Sequence, residues 1–174
     1  MTDGPLTGHL RPRSRRQTYA VGFVIAAIAI VVDQLTKCWA VNSLTDDRRI
    51  HVIWTLQFNL TYNSGMAFSK GSGLGPGIGV VAVIVVVLLV ISLRRVTNTM
   101  TLLATGLIIG GAVGNIIDRL VRGDAWLRGS VIDFIDFLWW PIFYVADMCV
   151  MIGAAMMLFG VSRSPRQISA TSTS

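Results

Sequence analysis

Four apolar runs, each close to the length that spans a bilayer, constrain this chain more than any other feature. They extend from about Tyr19 to Ala40, Ile78 to Leu93, Met100 to Ile117 and Trp139 to Val161. About 20 apolar residues wound as a helix cover the roughly 30 Å of a hydrocarbon core, and a helix satisfies its own backbone polar groups there. The 174 residues are 53% hydrophobic and 14% charged, with a mean hydropathy of +0.64. Those values exclude a disordered chain and are unusual for a soluble domain. The expectation is an all-α integral membrane protein of four transmembrane helices, one domain over 19–161, with disordered tails over 1–18 and 162–174. The first run is too long for a removed signal peptide and lacks a small-residue cleavage site, so it reads as an anchor.

The basic residues set the orientation. Arg11, Arg13, Arg15 and Arg16 precede the first run, Arg94 and Arg95 join the second to the third, and Arg163 and Arg166 follow the fourth. These three regions share one side, and the positive-inside rule makes it cytoplasmic. The loops 41–77 and 118–138 then face outward. Their basic residues Arg48, Arg49, Lys70, Arg119, Arg122 and Arg128 are mixed with Asp46, Asp47, Asp118, Asp124, Asp133 and Asp136. The net charge of +6 therefore lies at the ends of apolar runs, where lipid headgroups and topology require it, and makes no nucleic-acid surface. Cys38 and Cys149 lie in or beside apolar runs and read as small core hydrophobes. With only His9 and His51 besides, no transition-metal site can be assembled, and no cofactor is expected.

The loop 41–77 has structure of its own. His51–Tyr62 is rich in β-branched and aromatic residues and reads as one or two short strands, a small extracytoplasmic sheet with Trp54 and Tyr62 at the membrane interface. It ends at the turn signal Asn63-Ser-Gly65, and Gly71, Gly73, Gly75 and Gly77 with Pro76 read as a flexible connection. In the third run Gly106, Gly110 and Gly114 mark one helix face for close packing. Asn115 and Arg119, four apart, share a face at its outer end.

Asp147 lies within the fourth run, about two turns from its start. A carboxylate in an apolar span costs several kcal/mol unless compensated, and so marks a site. Two carboxylates meeting in a water-accessible pocket suggest acid–base hydrolysis; there is no glutamate, so both must be aspartates. Asp33, Asp118, Asp133 and Asp136 are all candidate partners. Asp133 and Asp136 are favoured because their apolar neighbours return that stretch to the membrane face, and spacing does not choose between them. The plainer alternatives are that an aspartate pairs with Arg119 or caps a helix, that Arg119 is an interfacial anchor, and that Asp33 and Lys37 form an intrahelical pair with Lys37 reaching outward. Two other function classes fit an intramembrane acid: a small transporter or proton-conducting protein, which needs a polar path through the membrane, and a non-catalytic assembly factor.

Five motifs in order carry a resemblance: Asp33-Gln-Leu-Thr-Lys37, Tyr62-Asn-Ser-Gly-Met-Ala-Phe-Ser69, Gly110-Gly-Ala-Val-Gly-Asn-Ile-Ile-Asp-Arg119, Val131-Ile-Asp-Phe134 and Phe143-Tyr-Val-Ala-Asp147. Together they resemble the bacterial lipoprotein signal peptidase (signal peptidase II) family over roughly 30–150. The resemblance implies a multi-pass aspartic endopeptidase of the bacterial cytoplasmic membrane with its site at the outer face. It implies removal of the signal peptide from prolipoproteins, just before a diacylglyceryl-modified cysteine. A monomer is the expectation, and paired carboxylates require no metal. The catalytic pair carries over to Asp133 and Asp147, and supporting roles carry over to Asp33, Lys37, Asn63, Gly65, Asn115 and Arg119. Two departures stand out. Tyr144 replaces the family's usual Asn, so that hydrogen bond must come from the tyrosine hydroxyl, from water, or not at all. Arg122–Gly129 lengthens the loop before Asp133.

Overall fold

The computed structural model describes residues 14–65 and 75–162. In chain order it comprises α1 (Arg15–Ser43), β1 (Ile50–Ile53), β2 (Leu56–Asn63), α2 (Gly75–Ser92), α3 (Thr99–Val121), β3 (Val131–Asp136) and α4 (Val145–Ser162). Three helical stretches, 16–43, 75–95 and 99–121, are long and apolar enough to cross a membrane, and 145–160 is a shorter apolar helix. All four apolar runs are therefore helical, but their ends differ from expectation. α1 starts at Arg15 because Ser14 and Gln17 form a capping box, each side chain bonding the other's backbone N–H.

Two expectations need correction. Gly75, Pro76 and Gly77 do not form a loose connection: they are the first turn of α2, where a proline's missing N–H costs nothing. Gly71 and Gly73 fall outside the described residues. The fourth helix does not begin near Trp139. Phe143 instead bridges to Ile135 of β3, its N–H donating to the Ile135 carbonyl at 3.0 Å and its carbonyl accepting from Ile135 N–H at 2.8 Å. The helix starts only at Val145, so Asp147 lies in its first turn.

The strands make one antiparallel sheet in the order β1-β2-β3. β1 and β2 match the expected strand region. β3 lies 70 residues from its partner in sequence and has both faces buried, so it shows no alternation of polar and apolar residues. Thr61 pairs with Asp133 and Asn63 with Val131, which makes Asn63 and Asp133 diagonal neighbours on one face.

The glycines of α3 form the expected seam. A Cβ at Gly106 would lie 2.9 Å from Ile25 Cβ, one at Gly110 2.7 Å from the Ala26 carbonyl oxygen, and one at Gly114 2.6 Å from Asp33 Oδ2. A second seam faces α4: a Cβ at Gly111 would meet the Ala146 carbonyl oxygen at 2.5 Å, and one at Gly153 the Ala104 carbonyl oxygen at 2.8 Å. α1 and α4 thus approach the backbone of α3 from two sides. α2 buries only Gly75 and Gly79. Its N-terminal end is held by Leu127, which is fully buried, takes a left-handed backbone with φ 56° and lies 3.0 Å from the position a Gly79 Cβ would occupy.

Candidate active site

A cavity of about 360 Å³ opens where α3, β3 and the start of α4 meet; Asn63, Gly65, Arg119, Asp133, Tyr144 and Asp147 are among its lining residues. Two backbone features bring the carboxylates to it. The β2–β3 pairing aims Asp133 beside Asn63, and the Ile135–Phe143 bridge folds the chain so that the first turn of α4 returns to β3.

Asp133 is 5% exposed. Its Oδ2 accepts from the Asn63 amide at 3.1 Å, and its Oδ1 has no protein hydrogen-bond partner. Burial pushes its carboxyl up to about 7; the Asn63 donor opposes that shift and the charge of Asp147 adds to it. Asn63 is itself fixed, its side-chain oxygen accepting from Gly65 N–H at 3.0 Å, and the Gly65 carbonyl receives Arg119 Nη2 at 3.4 Å. Arg119 is 6% exposed, and its Nη1 has no hydrogen-bond partner. Asp147 accepts hydrogen bonds from the Tyr144 hydroxyl and from the Tyr144 backbone N–H. The second bond is the reciprocal half of a helix cap, so the plainer capping role exists here alongside the cavity-lining one. Of the three sources for the bond at position 144, the chain uses the tyrosine hydroxyl.

A second group of charges lies under the first. Lys37 is fully buried, so it does not reach outward as an isolated pair with Asp33 would allow: it has no interfacial path and has two anions instead. Its ammonium contacts Asp33 Oδ2 at 2.8 Å and Asp118 Oδ2 at 2.6 Å. Asp118 also pairs with Arg122 at 3.0 Å. The other Asp33 oxygen accepts from Ala146 N–H at 2.9 Å, one residue from Asp147, and Gln34 bonds Asp33, Asp118 and the Gly114 carbonyl. Two cations thus face two anions, with nearly every lone pair used.

The expected site residues divide accordingly. Asp133, Asp147, Asn63, Gly65 and Arg119 line the cavity, while Asp33 and Lys37 brace it from below. Asn115 is not among the lining residues quoted above, and its buried side-chain oxygen has no hydrogen-bond partner. Asp136 points elsewhere: Gln57 donates to it at 2.8 Å and Leu138 N–H at 2.7 Å. Burial alone would raise its carboxyl, but these donors hold it below the ordinary range. Sequence reasoning gave Asp118 no role beyond a candidate partner, and Gln34 none. The signal was present for Asp118, since an acid at the C-terminal end of the glycine face must meet whatever α1 presents there. Among the described residues no group of His, Cys or Asp could hold a metal ion.

Apolar helices closing on a cavity lined by one buried carboxylate, Asp133, and one half-buried carboxylate, Asp147, are what a membrane-embedded acid–base hydrolase requires. The comparisons with known proteins agree and go further. The family model for signal peptidase (SPase) II matches residues 25–163. The chain is 38% identical over 135 residues to the lipoprotein signal peptidase of Mycobacterium leprae, covering 77% of this chain and 67% of that protein. It is 37% identical over 165 residues to that of Mycolicibacterium smegmatis, covering 92% and 70%. A solved bacterial membrane enzyme superposes with TM-score 0.75 at 25% identity, over 89% of this chain and 95% of that one. The chain belongs to the signal peptidase II family of aspartic endopeptidases.

Proposed function

We propose that this enzyme cleaves diacylglyceryl-modified prolipoproteins just before the modified cysteine, with Asp133 and Asp147 as the catalytic pair. Carboxylates that share a cavity cannot both ionise easily, so the pair carries one proton at neutral pH. Asp133, near 7, holds it. Asp147 then takes a proton from the attacking water as its oxygen bonds to the scissile carbonyl carbon. Asp133 protonates the carbonyl oxygen to give a gem-diol; the proton held by Asp147 passes to the departing amine as the C–N bond breaks, and a gem-diol hydroxyl returns its proton to Asp133, leaving the carboxylic acid and the singly protonated pair. The free Nη1 of Arg119 supplies a donor for a substrate carbonyl. Two carboxylates lining one cavity, Asp133 buried and Asp147 half-buried, in a chain of this family, carry the reading. A transporter would need polar residues along a complete path, and α2 contains no charged residue.

In this reading all four helices span the membrane as a monomer. Both termini and Arg94–Arg95 face the cytoplasm, and the sheet rests on the outer face. Trp54 at the β1–β2 turn, 95% exposed, suits that interface. Cleavage of a purified diacylglyceryl-modified prolipoprotein is the direct test; an enzyme that cuts the unmodified precursor equally well would refute the substrate assignment. Topology is tested separately with Trp126→Cys in a Cys38→Ser, Cys149→Ser background. An impermeant thiol reagent should label it from outside, and labelling from the cytoplasmic side alone would overturn the orientation.

A further inference from the structure

Tyr144 touches both buried polar groups. It is 7% exposed. Its hydroxyl donates to Asp147, and the ring lies under the Lys37 ammonium, 4.2 Å from Nζ to the ring centroid. Lys37 is in turn fixed by Asp33 and Asp118. Asp147 sits in the first turn of a helix, where the Tyr144 backbone N–H bonds its carboxylate and the Tyr144 hydroxyl adds a second, separate donor. The backbone on either side of the ring is also fixed: Phe143 is bridged to β3 and Ala146 N–H is bonded to Asp33. A ring with a cation over its face, on a backbone fixed before and after it, has little freedom, so its hydroxyl is a fixed donor.

We infer that Tyr144 is a positioning residue, which uses the buried Lys37 group as a footing to hold the Asp147 carboxylate at the angle hydrolysis needs. The inference rests on Asp147 being one of the catalytic pair. The ring and the hydroxyl have separable roles: the ring face neutralises part of the cost of burying Lys37, and the hydroxyl orients the acid.

Tyr144→Phe keeps the ring over Lys37 and removes only the hydroxyl. With a diacylglyceryl-modified prolipoprotein as substrate, it should lower kcat by roughly 10- to 100-fold, the rate equivalent of one hydrogen bond to a charged group, with KM and melting temperature nearly unchanged. Tyr144→Leu should lose as much kcat and, in addition, melt at lower temperature. Wild-type kcat in Tyr144→Phe would overturn the inference, as would an equal loss in melting temperature for both variants. Asp147→Asn is measured in parallel. If it is active, the catalytic pair itself is misassigned; if it is inactive while Tyr144→Phe is not, only the positioning role fails. Spectroscopy gives a check independent of folding of the Phe variant. The chain has three tyrosines, and 3-fluorotyrosine labelling yields three fluorine signals, of which two are assigned by Tyr19→Phe and Tyr62→Phe. Asp147→Asn should move the remaining signal and leave the other two in place; an unmoved signal would show that the hydroxyl does not hold Asp147.

Discussion

The two buried polar groups of this protein adjoin each other and are built on opposite terms. Around Lys37 the ammonium has two carboxylates, Asp33 has the Ala146 N–H and Gln34, and Asp118 has Arg122. Around the cavity Asp133 Oδ1 and Arg119 Nη1 are buried without hydrogen-bond partners. An unsatisfied buried polar atom costs about 1–3 kcal/mol. The fold closes the account at the group that joins α1, α3 and α4 and leaves it open beside the cavity, where a substrate can supply the missing partners. A saturated group builds the protein; an unsaturated one is available for chemistry.

If that contrast is right, substitutions in the two groups should fail in different ways. The largest effect is expected from the open group. Asp133→Asn and Asp147→Asn should each cut the initial cleavage rate by about 10²–10⁴-fold, the usual contribution of a general acid or base, and the double variant by little more. Neither variant should melt below wild type. An active Asp147→Asn enzyme would end the assignment. In the closed group the loss should be of the fold. Lys37→Met strands Asp33 and Asp118 without their cation, and breaking a buried pair this way costs about 3–5 kcal/mol. Thermal melting in detergent reads it directly, and a melting temperature equal to wild type would mean the cluster is not what joins the helices.

A smaller effect should appear in pH dependence. Because Asp133 sits near 7, cleavage should fall as pH rises through about 7 and the shared proton is lost. Asn63→Ala removes a donor that favours the ionised form, so this falling limb should move to higher pH. The linkage has a definite sign. A carboxyl raised from 3.8 to about 7 binds its proton more tightly when folded, so its ionisation erodes stability between those values and the full cost is present above 7. Asp133→Asn should therefore gain stability on wild type at pH 8 relative to pH 4, and melting curves that run parallel at the two pH values would contradict the raised value. The smallest effects belong outside both groups. Asp136→Asn should keep cleavage within about tenfold, since Gln57 and Leu138 N–H tie it to the sheet. Asp124→Asn, on an exposed loop, should be indistinguishable from wild type.

Much of this was legible in the chain, for reasons that differ by element. Long apolar runs report themselves because bilayer thickness fixes their length. Their ends do not, because caps and bridges decide them. The run at Trp139–Tyr144 is apolar enough for a helix, but Phe143 is held by backbone bonds to Ile135, a contact that hydropathy does not encode. β3 was hidden because both its faces are buried, which erases the period-2 pattern. The proposed pair Asp133 and Asp147 was singled out only by the family resemblance, since four acids competed on spacing alone. What separates them is where the lone pairs go. Asp33 and Asp118 are ion-paired with Lys37 and Asp136 is bonded to Gln57, whereas Asp133 Oδ1 has neither a hydrogen-bond nor an ion-pair partner.

The Lys37 group also has a history within each synthesis. Asp33 reaches its α4 partner, the Ala146 N–H, across 113 residues of sequence. At about 5–20 residues per second, α1 waits roughly 6–20 s before that partner is made. During the wait α1 would present a bare anion and a bare cation to lipid if the two were far apart. Spaced four apart on one helix, Asp33 and Lys37 neutralise each other from the moment the turn forms, and the same ammonium later accepts Asp118 when α3 arrives. The i,i+4 spacing thus lets the pair neutralise itself within one helix before Asp118 and the Ala146 N–H complete it.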